Sequence, residues 1–298
     1  MCGSDEWNVR GRNAIVTGGT AGIGFATALG LARAGANVVL TGRTTARCEA
    51  ALKAIREQLT AEGADAGQVA FLPLDLGDFG SIMRFATAAR EHFDGLHVLV
   101  HNAGFVCRER GETRDGFEAM FGVNHMGPFT LTRLVRDWLV MNAPARIVVV
   151  SSEAHRGVRG MDFDDLQMKQ SFASWKGYCR SKLANILFTR ALARRLAGTG
   201  VTANCLHPGV IASEFGQDAG PVIKAFFKYG RPLLKSSERG ARTSLHVALA
   251  PELRGVSGEY FSSSRPKRPS TAARDDAAAE TLWEVSDALA AGSSLKGF

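Results

Sequence analysis

Residues Asn13 to Ala34 read NAIVTGGTAGIGFATALGLARA. The first five are a short apolar run of the length and composition of a buried strand, and Phe25 to Ala34 carries Ala and Leu at helical spacing. Between them a glycine cluster continues neither element. A strand, a tight loop and a helix in that order gather the loop's N–H groups at the positive end of the helix dipole, where a pyrophosphate is stabilised. Gly18, Thr20, Gly22, Ile23 and Gly24 are the residues expected to line that site. Their spacing is G-x-x-x-G-x-G rather than G-x-G-x-x-G, and taken alone such glycines also suit a plain tight turn.

Outward from this unit the alternation repeats. Asn37 to Thr41, Gln68 to Pro73, His97 to His101, Arg146 to Ser151, Val201 to Leu206 and Gly258 to Phe261 read as further strands. HVLVH and RIVVVS are near-continuous Val/Ile runs, as burial on both faces of a parallel sheet demands. Helical patterns fall at Thr45 to Glu62, Phe79 to His92, Thr113 to Met141, Tyr178 to Gly198 and Asp276 to Ala291. The expectation is an α/β fold, a doubly wound parallel sheet of about seven strands, forming one domain over residues 1–298. Two long segments interrupt the alternation, Arg156 to Lys176 and Gly209 to Arg239, and connections of that length are usually functional. The second is expected to form a substrate lid at 209–239. A basic Ser/Pro-rich link, Ser262 to Pro269, leads into a C-terminal tail at 263–298.

Composition narrows the class. The 298 residues are 45% hydrophobic and 22% charged, a globular balance, and no apolar run approaches the roughly 20 residues of a membrane span, so a transmembrane anchor is not expected. Met1 to Arg10 lacks an apolar signal segment, and a cytoplasmic location is the default expectation. Five scattered cysteines without C-x-x-C argue against a disulfide framework and a zinc site. The net charge of +7 is spread along the chain rather than gathered in a patch, which disfavours nucleic acid and is compatible with an anionic cofactor.

Strand two ends Leu40-Thr41-Gly42-Arg43, where NAD-binding proteins of this architecture commonly present an acid to the ribose 2′-hydroxyl. Arg43 instead offers charge-assisted hydrogen bonds to a 2′-phosphate, favouring NADP over NAD. Further on, Tyr178 and Lys182 stand four residues apart, hence on one helix face. An ammonium near a phenol favours the phenolate and would draw its pKa from about 10 toward neutrality, fitting Tyr178 for acid/base work.

The ordered set TGGTAGIG, HNAG (101–104), VNHMG (123–127), SS (151–152), YCRSK (178–182) and HPG (207–209) resembles the short-chain dehydrogenase/reductase family over about residues 10 to 262. IVVVSSEAHRG, SKLANILFTRALARRL, TANCLHPGVI and GEYF are similar to its retinol-dehydrogenase-like branch, which also resembles WW-domain oxidoreductases and protochlorophyllide reductases. The resemblance implies that Ser152 bonds the substrate oxygen, Tyr178 is the acid/base, Lys182 binds nicotinamide ribose and tunes the tyrosine, and Asn124 completes the set. It further implies Asp75 and Leu76 beside adenine, Asn102, Ala103 and Gly104 along the adenosine, and Pro208, Gly209, Ile211 and Ser213 around the nicotinamide. No metal is implied, although His155 and His207 lie near the site in sequence. His101 and His97 depart from the family's frequent pattern and leave their local hydrogen bonding open.

These residues lead to an NADP(H)-dependent oxidoreductase that moves a hydride to or from a carbonyl or alcohol. Phe226, Phe227, Tyr229 and Leu233-Leu234 of the lid suit an apolar aldehyde or ketone, or else a partner surface. Reduction of a carbon–carbon double bond in a pigment-like substrate and a cofactor-sensing scaffold with vestigial catalysis are the alternatives. A homo-oligomer is compatible with the pattern, which fixes no number.

Overall fold

In the computed structural model, residues 7–209 and 236–292 are described. Strands β1 (Asn13–Val16), β2 (Asn37–Gly42), β3 (Val69–Pro73), β4 (Val98–His101), β5 (Ala145–Val150), β6 (Val201–His207), β7 (Tyr260–Ser262) and β8 (Arg265–Pro266) form one sheet in the order β3-β2-β1-β4-β5-β6-β7-β8. The first seven are parallel. Residues alternate across it. Ile15, Val39, Leu99, Ile147, Val149 and Ala203 enter one core, whereas Val16, Val38, Leu40, Val100, Val148 and Val150 enter the other. The helices divide accordingly. On the first face lie α3 (Phe79–His92), α5 (Gly127–Met141), α6 (Ser174–Arg195) and α8 (Asp276–Gly292). On the second lie α1 (Gly22–Arg33), α2 (Thr45–Ala61) and α7 (Ser237–Leu249).

This is the doubly wound architecture expected, with three differences. The link after β7 contains an eighth strand, antiparallel to β7 with Phe261 opposite Pro266 and Ser262 opposite Arg265. Its two-residue loop is Ser263-Ser264, both left-handed at φ 52° and 58°. That is the backbone of a primed hairpin turn, which Asn-Gly usually signals and Ser-Ser does not. The helix read from Thr113 begins only at Ala119. Thr113 to Gly116 instead forms a turn, with Gly116 at φ 80°, and the Glu118 carboxylate accepts the N–H groups of Met120 (2.9 Å) and Phe121 (2.8 Å) as a cap. From there a short α4 (Ala119–Phe121) passes through a π turn, Gly122–Met126, into α5. α6 starts earlier than read, at Ser174, and ends at Arg195.

The order reverses between β1 and β4: Val16 of β1 pairs with Leu40 of β2 on one side and with Val100 of β4 on the other. Ligands of open α/β sheets bind outside the carboxyl ends of the strands at such a point. Here the two strand exits are knotted together. Thr17 Oγ accepts the N–H groups of Asn102 (3.0 Å) and Ala103 (3.1 Å), and the Asn102 side-chain amide donates back to Thr17 O (2.9 Å) and Gly18 O (3.2 Å). Gly24 packs directly under this knot, where a Cβ would meet the Gly18 carbonyl oxygen and the Asn102 amide. Backbone cannot withdraw as a flexible side chain can. Gly24→Ala is therefore expected to lower the melting temperature and to weaken dinucleotide binding, read by thermal unfolding and by fluorescence titration. Unchanged values for both would show that the loop yields.

Candidate active site

At the carboxyl end of β1 the glycine loop opens to solvent. Gly19 N–H is tied to Thr41 O (2.9 Å), which presses the loop onto β2, and Gly18 and Gly22 take φ of 65° and 57°. α1 has no side-chain cap and no acid in its first turn, so the positive helix end is left for an outside acceptor. A Cβ built on Gly22 meets nothing within 4 Å. Thr20 and Ile23 are partly exposed beside it. This cradle fits a pyrophosphate. Arg43, one residue beyond β2, is exposed and has no hydrogen bond or ion pair among the described residues. Asp75 is partly buried, its carboxylate accepting Gly77 N–H (2.9 Å); the cap of α3 is Asp78, through Ser81 N–H (3.2 Å). Leu76 turns into the core. Asn102 serves the loop itself, and Ala103 packs on Gly18.

Across the switch point the expected reacting groups come together. Ser152 leaves β5 and caps the 3₁₀ turn Glu153–Gly157, its Oγ accepting Ala154 N–H at 3.2 Å. The Ser152 hydroxyl is hydrogen-bonded to the Tyr178 phenol. Lys182 lies one turn along α6, its Nζ 5.7 Å from the Tyr178 ring centroid and donating to Val150 O at 3.1 Å. Ser151 is spent on structure, donating to Lys182 O at 2.7 Å. Asn124, fully buried in the π turn, accepts Phe105 N–H (3.0 Å) and donates to Phe105 O (3.0 Å) and Ser181 Oγ (3.0 Å); Ser181 in turn donates to Tyr178 O (2.8 Å). A Cβ on Gly104 would stand 3.2 Å from both Asn124 Oδ1 and Lys182 Nζ, so glycine keeps this wall thin. Pro208 and Gly209 follow β6. Ile211 and Ser213, with Phe226, Phe227, Tyr229 and Leu233-Leu234 of the expected lid, lie outside the described residues.

Electrostatics depart from expectation at Tyr178. Burial pushes its phenol well above the ordinary value, opposed by the Ser152 hydrogen bond. The amine of Lys182 is aimed at the Val150 carbonyl rather than at the phenol oxygen, so desolvation outweighs the cation in the chain by itself. Burial also pulls the Lys182 amine down from 10.5 to about 8.

Several supporting groups carried no sequence signal. Glu153 accepts from Tyr260 Oη (2.6 Å), Arg156 (2.9 Å) and Lys267 (3.1 Å). Burial alone would raise its carboxyl, yet these donors bring it down to about 2 and fix the turn carrying Ser152. His155 Nε2 accepts Ser270 N–H (3.1 Å), which puts its proton on Nδ1, facing Ser152 O at 2.6 Å. His207 Nδ1 accepts Glu153 N–H (3.3 Å). Both histidines thus serve hydrogen bonds, and among the described residues no group of three or more His, Cys, Asp or Glu could hold a metal ion. His101 pairs with Thr132 Oγ (2.7 Å) and His97 accepts Asn13 N–H (3.2 Å), which resolves the two departures noted in the sequence. Arg180 anchors the 156–173 segment through the Asp162 carboxylate (2.8 Å) and the carbonyls of Asp162 and Asp165.

A base whose folded pKa lies below its unfolded value costs stability at every pH below the folded value, and that cost fades as pH rises toward the unfolded one. For Lys182 the window runs from about 8 to 10.5. Lys182→Met is accordingly expected to raise the melting temperature of the cofactor-free chain at pH 7, with the gain shrinking between pH 8 and 10.5. A lower melting temperature at pH 7 would show that the bond to Val150 outweighs burial.

The family model for short chain dehydrogenase matches residues 12–222. Human retinol dehydrogenase 13 is 42% identical over 288 residues, spanning 94% of this chain and 85% of that protein. Mouse retinol dehydrogenase 12 is 42% identical over 278 residues, spanning 93% and 86%. Among solved structures, an uncharacterized protein from Mycobacterium Paratuberculosis superposes with a TM-score of 0.75 at 32% identity, covering 96% of each chain. The Pseudomonas aeruginosa RhlG/NADP complex, at 24% identity and a TM-score of 0.67 over 86% of this chain and 96% of that one, shares the fold. Among the described residues no helix is long and apolar enough to cross a membrane. The chain belongs to the short-chain dehydrogenase family and is an NAD(P)-dependent oxidoreductase acting on CH–OH groups.

Proposed function

We propose that this oxidoreductase uses NADP(H) and interconverts an apolar aldehyde or ketone with its alcohol, with Ser152, Tyr178 and Lys182 as its catalytic residues and Asn124 positioning them. The observation that carries the reading is the hydrogen bond between the Ser152 hydroxyl and the buried Tyr178 phenol, with the Lys182 amine one helical turn away. When bound, the dinucleotide supplies or accepts the hydride. Ser152 and Tyr178 present two O–H groups to one substrate oxygen. Ser152 stabilises the charge that grows on that oxygen as a carbonyl is reduced, and Tyr178 delivers the proton. In the reverse direction the Tyr178 phenolate accepts the alcohol proton and returns to the neutral phenol. A phenol of ordinary pKa, about 10, is already neutral at pH 7, the form that reduction requires, and burial, which shifts it upward, keeps it so. Lys182, charged below about pH 8, then stabilises the phenolate left behind.

Apolar substrate preference is supported at the mouth of the site. Val106 and Met120 pack with the Tyr178 side chain, and Phe105, Ala154 and Phe172 surround them. Trp175 is half exposed with its ring 5.8 Å from that of Tyr178. The names of the retinol dehydrogenases point to the same class, a primary alcohol on an apolar body. NADP preference is supported by Arg43, an exposed guanidinium past β2 with no acid beside it to satisfy a ribose diol.

Two experiments test these assignments. Purified protein is expected to oxidise NADPH with a long-chain aldehyde, and Tyr178→Phe to abolish turnover while retaining NADPH binding; turnover by the phenylalanine variant would remove the acid/base role. Arg43→Ala is expected to raise the KM for NADPH about tenfold or more while leaving that for NADH within about twofold, the loss of a charge-assisted pair. Equal losses for both would remove the specificity argument.

A further inference from the structure

The π turn Gly122–Met126 sends two consecutive side chains in different directions. Asn124 ties the backbone after β4 to the helix under Tyr178, as described above. His125 enters the aromatic cluster of Phe121, Phe129 and Phe188, with ring centroids at 5.1, 6.1 and 6.0 Å. There its Nε2 meets Ser286 Oγ of α8 at 2.8 Å, and its Nδ1 is buried with no partner among the described residues. The contact to Ser286 is therefore the ring's sole polar satisfaction in an apolar shell. It sits one residue from the Asn124 amide.

The helix supplying it shows the same economy. The buried residues of α8 are Ala279, Leu282, Ser286 and Ala290, so Ser286 is the one polar group among them. Docking of α8 rests on other contacts. Trp283 packs on Phe129 (5.0 Å) and Phe188 (6.0 Å), and Arg190, Arg194 and Arg195 pair with Asp276 and Glu280. A hydroxyl beside docking contacts made by other residues, aimed at a histidine with no other hydrogen-bond partner among the described residues, points to a task at the far side of that histidine. π turns are rare, appear as single-turn bulges within α-helices and are frequent at functional sites.

We propose that Ser286 is a positioning residue of the oxidoreductase site: by hydrogen-bonding His125 it holds the π turn so that Asn124 stays locked to Phe105 and Ser181 beneath Tyr178. This rests on the reading of Asn124 and Tyr178 given under the proposed function. It makes α8, which lies beyond residues 12–222 of the family match, a working part of the site.

The test is Ser286→Ala in the full-length protein, with two readouts. With NADPH and a long-chain aldehyde, kcat is expected to fall about tenfold while the KM for NADPH stays within about twofold, as displacement of a positioned group predicts. In the cofactor-free protein, hydrogen exchange at the Phe105 amide, which donates to Asn124, is expected to quicken while α8 remains protected. In an Asn124→Ala background the same serine substitution is expected to change neither readout further, because its route has been removed. A reduced melting temperature with wild-type kcat and wild-type Phe105 exchange, or losses that multiply in the double variant, would overturn the proposal. Ser286→Cys, near-isosteric but a weak hydrogen-bonder, is expected to give an intermediate kcat and serves if the alanine variant does not fold. A normal kcat in Asn124→Ala would instead refute the reading of Asn124. A deficit there, with none in Ser286→Ala, would refute only the coupling.

Discussion

A primary amine sits almost wholly out of water at the centre of this molecule. Lys182 is 3% exposed, and its one hydrogen bond in the described structure is to the carbonyl of Val150, the last residue of β5. Burying an ammonium with one neutral acceptor is unfavourable, which is why its pKa falls. The neighbourhood is built around tolerating it. Asn185 shares the same carbonyl at 3.3 Å, Ser151 bonds the Lys182 backbone, and Gly104 leaves the opposite wall bare. A structure optimised for stability alone would place an apolar side chain there. The amine, its serine clamp and the thin glycine wall are the features that support the catalytic role proposed for Lys182.

The same sheet offers two ends with opposite electrostatic character. At the carboxyl ends helices begin, presenting N–H groups; at the amino ends they finish, presenting carbonyls. A cleft of about 1100 Å³ opens at the amino ends, lined by Asn13, Asn37 and Gln68 and by the last turns of α2 and α3, including Thr60 and His92. Its size does not make it the site. Its helix termini carry the wrong dipole sign for a dinucleotide's phosphates, whereas the uncapped start of α1 carries the right one. Helix polarity and the meeting of Ser152, Tyr178 and Lys182, rather than volume, support the proposed site at the carboxyl ends.

Much of this was legible in the sequence, and the physical reason is locality. Central strands announce themselves because two-sided burial forces runs such as IVVV, and the glycine loop does so because close backbone packing around Gly18 and Gly24 admits no side chain. Tyr178 and Lys182 are readable as an i, i+4 pair. What escaped is what depends on distant partners. β8 is two residues long behind a Ser-Ser turn, too short to show alternation. The false helical start at Thr113 arose because the pattern ignored the Glu118 carboxylate, which begins the helix at Ala119. Glu153 with Tyr260, and His155 with Ser270, meet across separations of more than a hundred residues, and nothing in either segment signals the other.

Ser286 extends that distinction to the C-terminal helix. An apolar helix face needs no hydroxyl, and Ser lowers helix propensity relative to Ala, which occupies two of the neighbouring buried positions. Local rules thus favour alanine at 286, and packing gives no reason against it. Local rules likewise favour phenylalanine at 125, amid three aromatic rings. Each residue is anomalous alone, and among the described residues each is the other's one side-chain hydrogen-bond partner, 161 positions away and immediately beside the amide that bonds the tyrosine helix. Two independent departures from good local chemistry meet at one hydrogen bond, which is the physical ground for assigning that bond a positioning task. The peripheral helix is then understood from the site outward rather than as a cover laid over a finished fold.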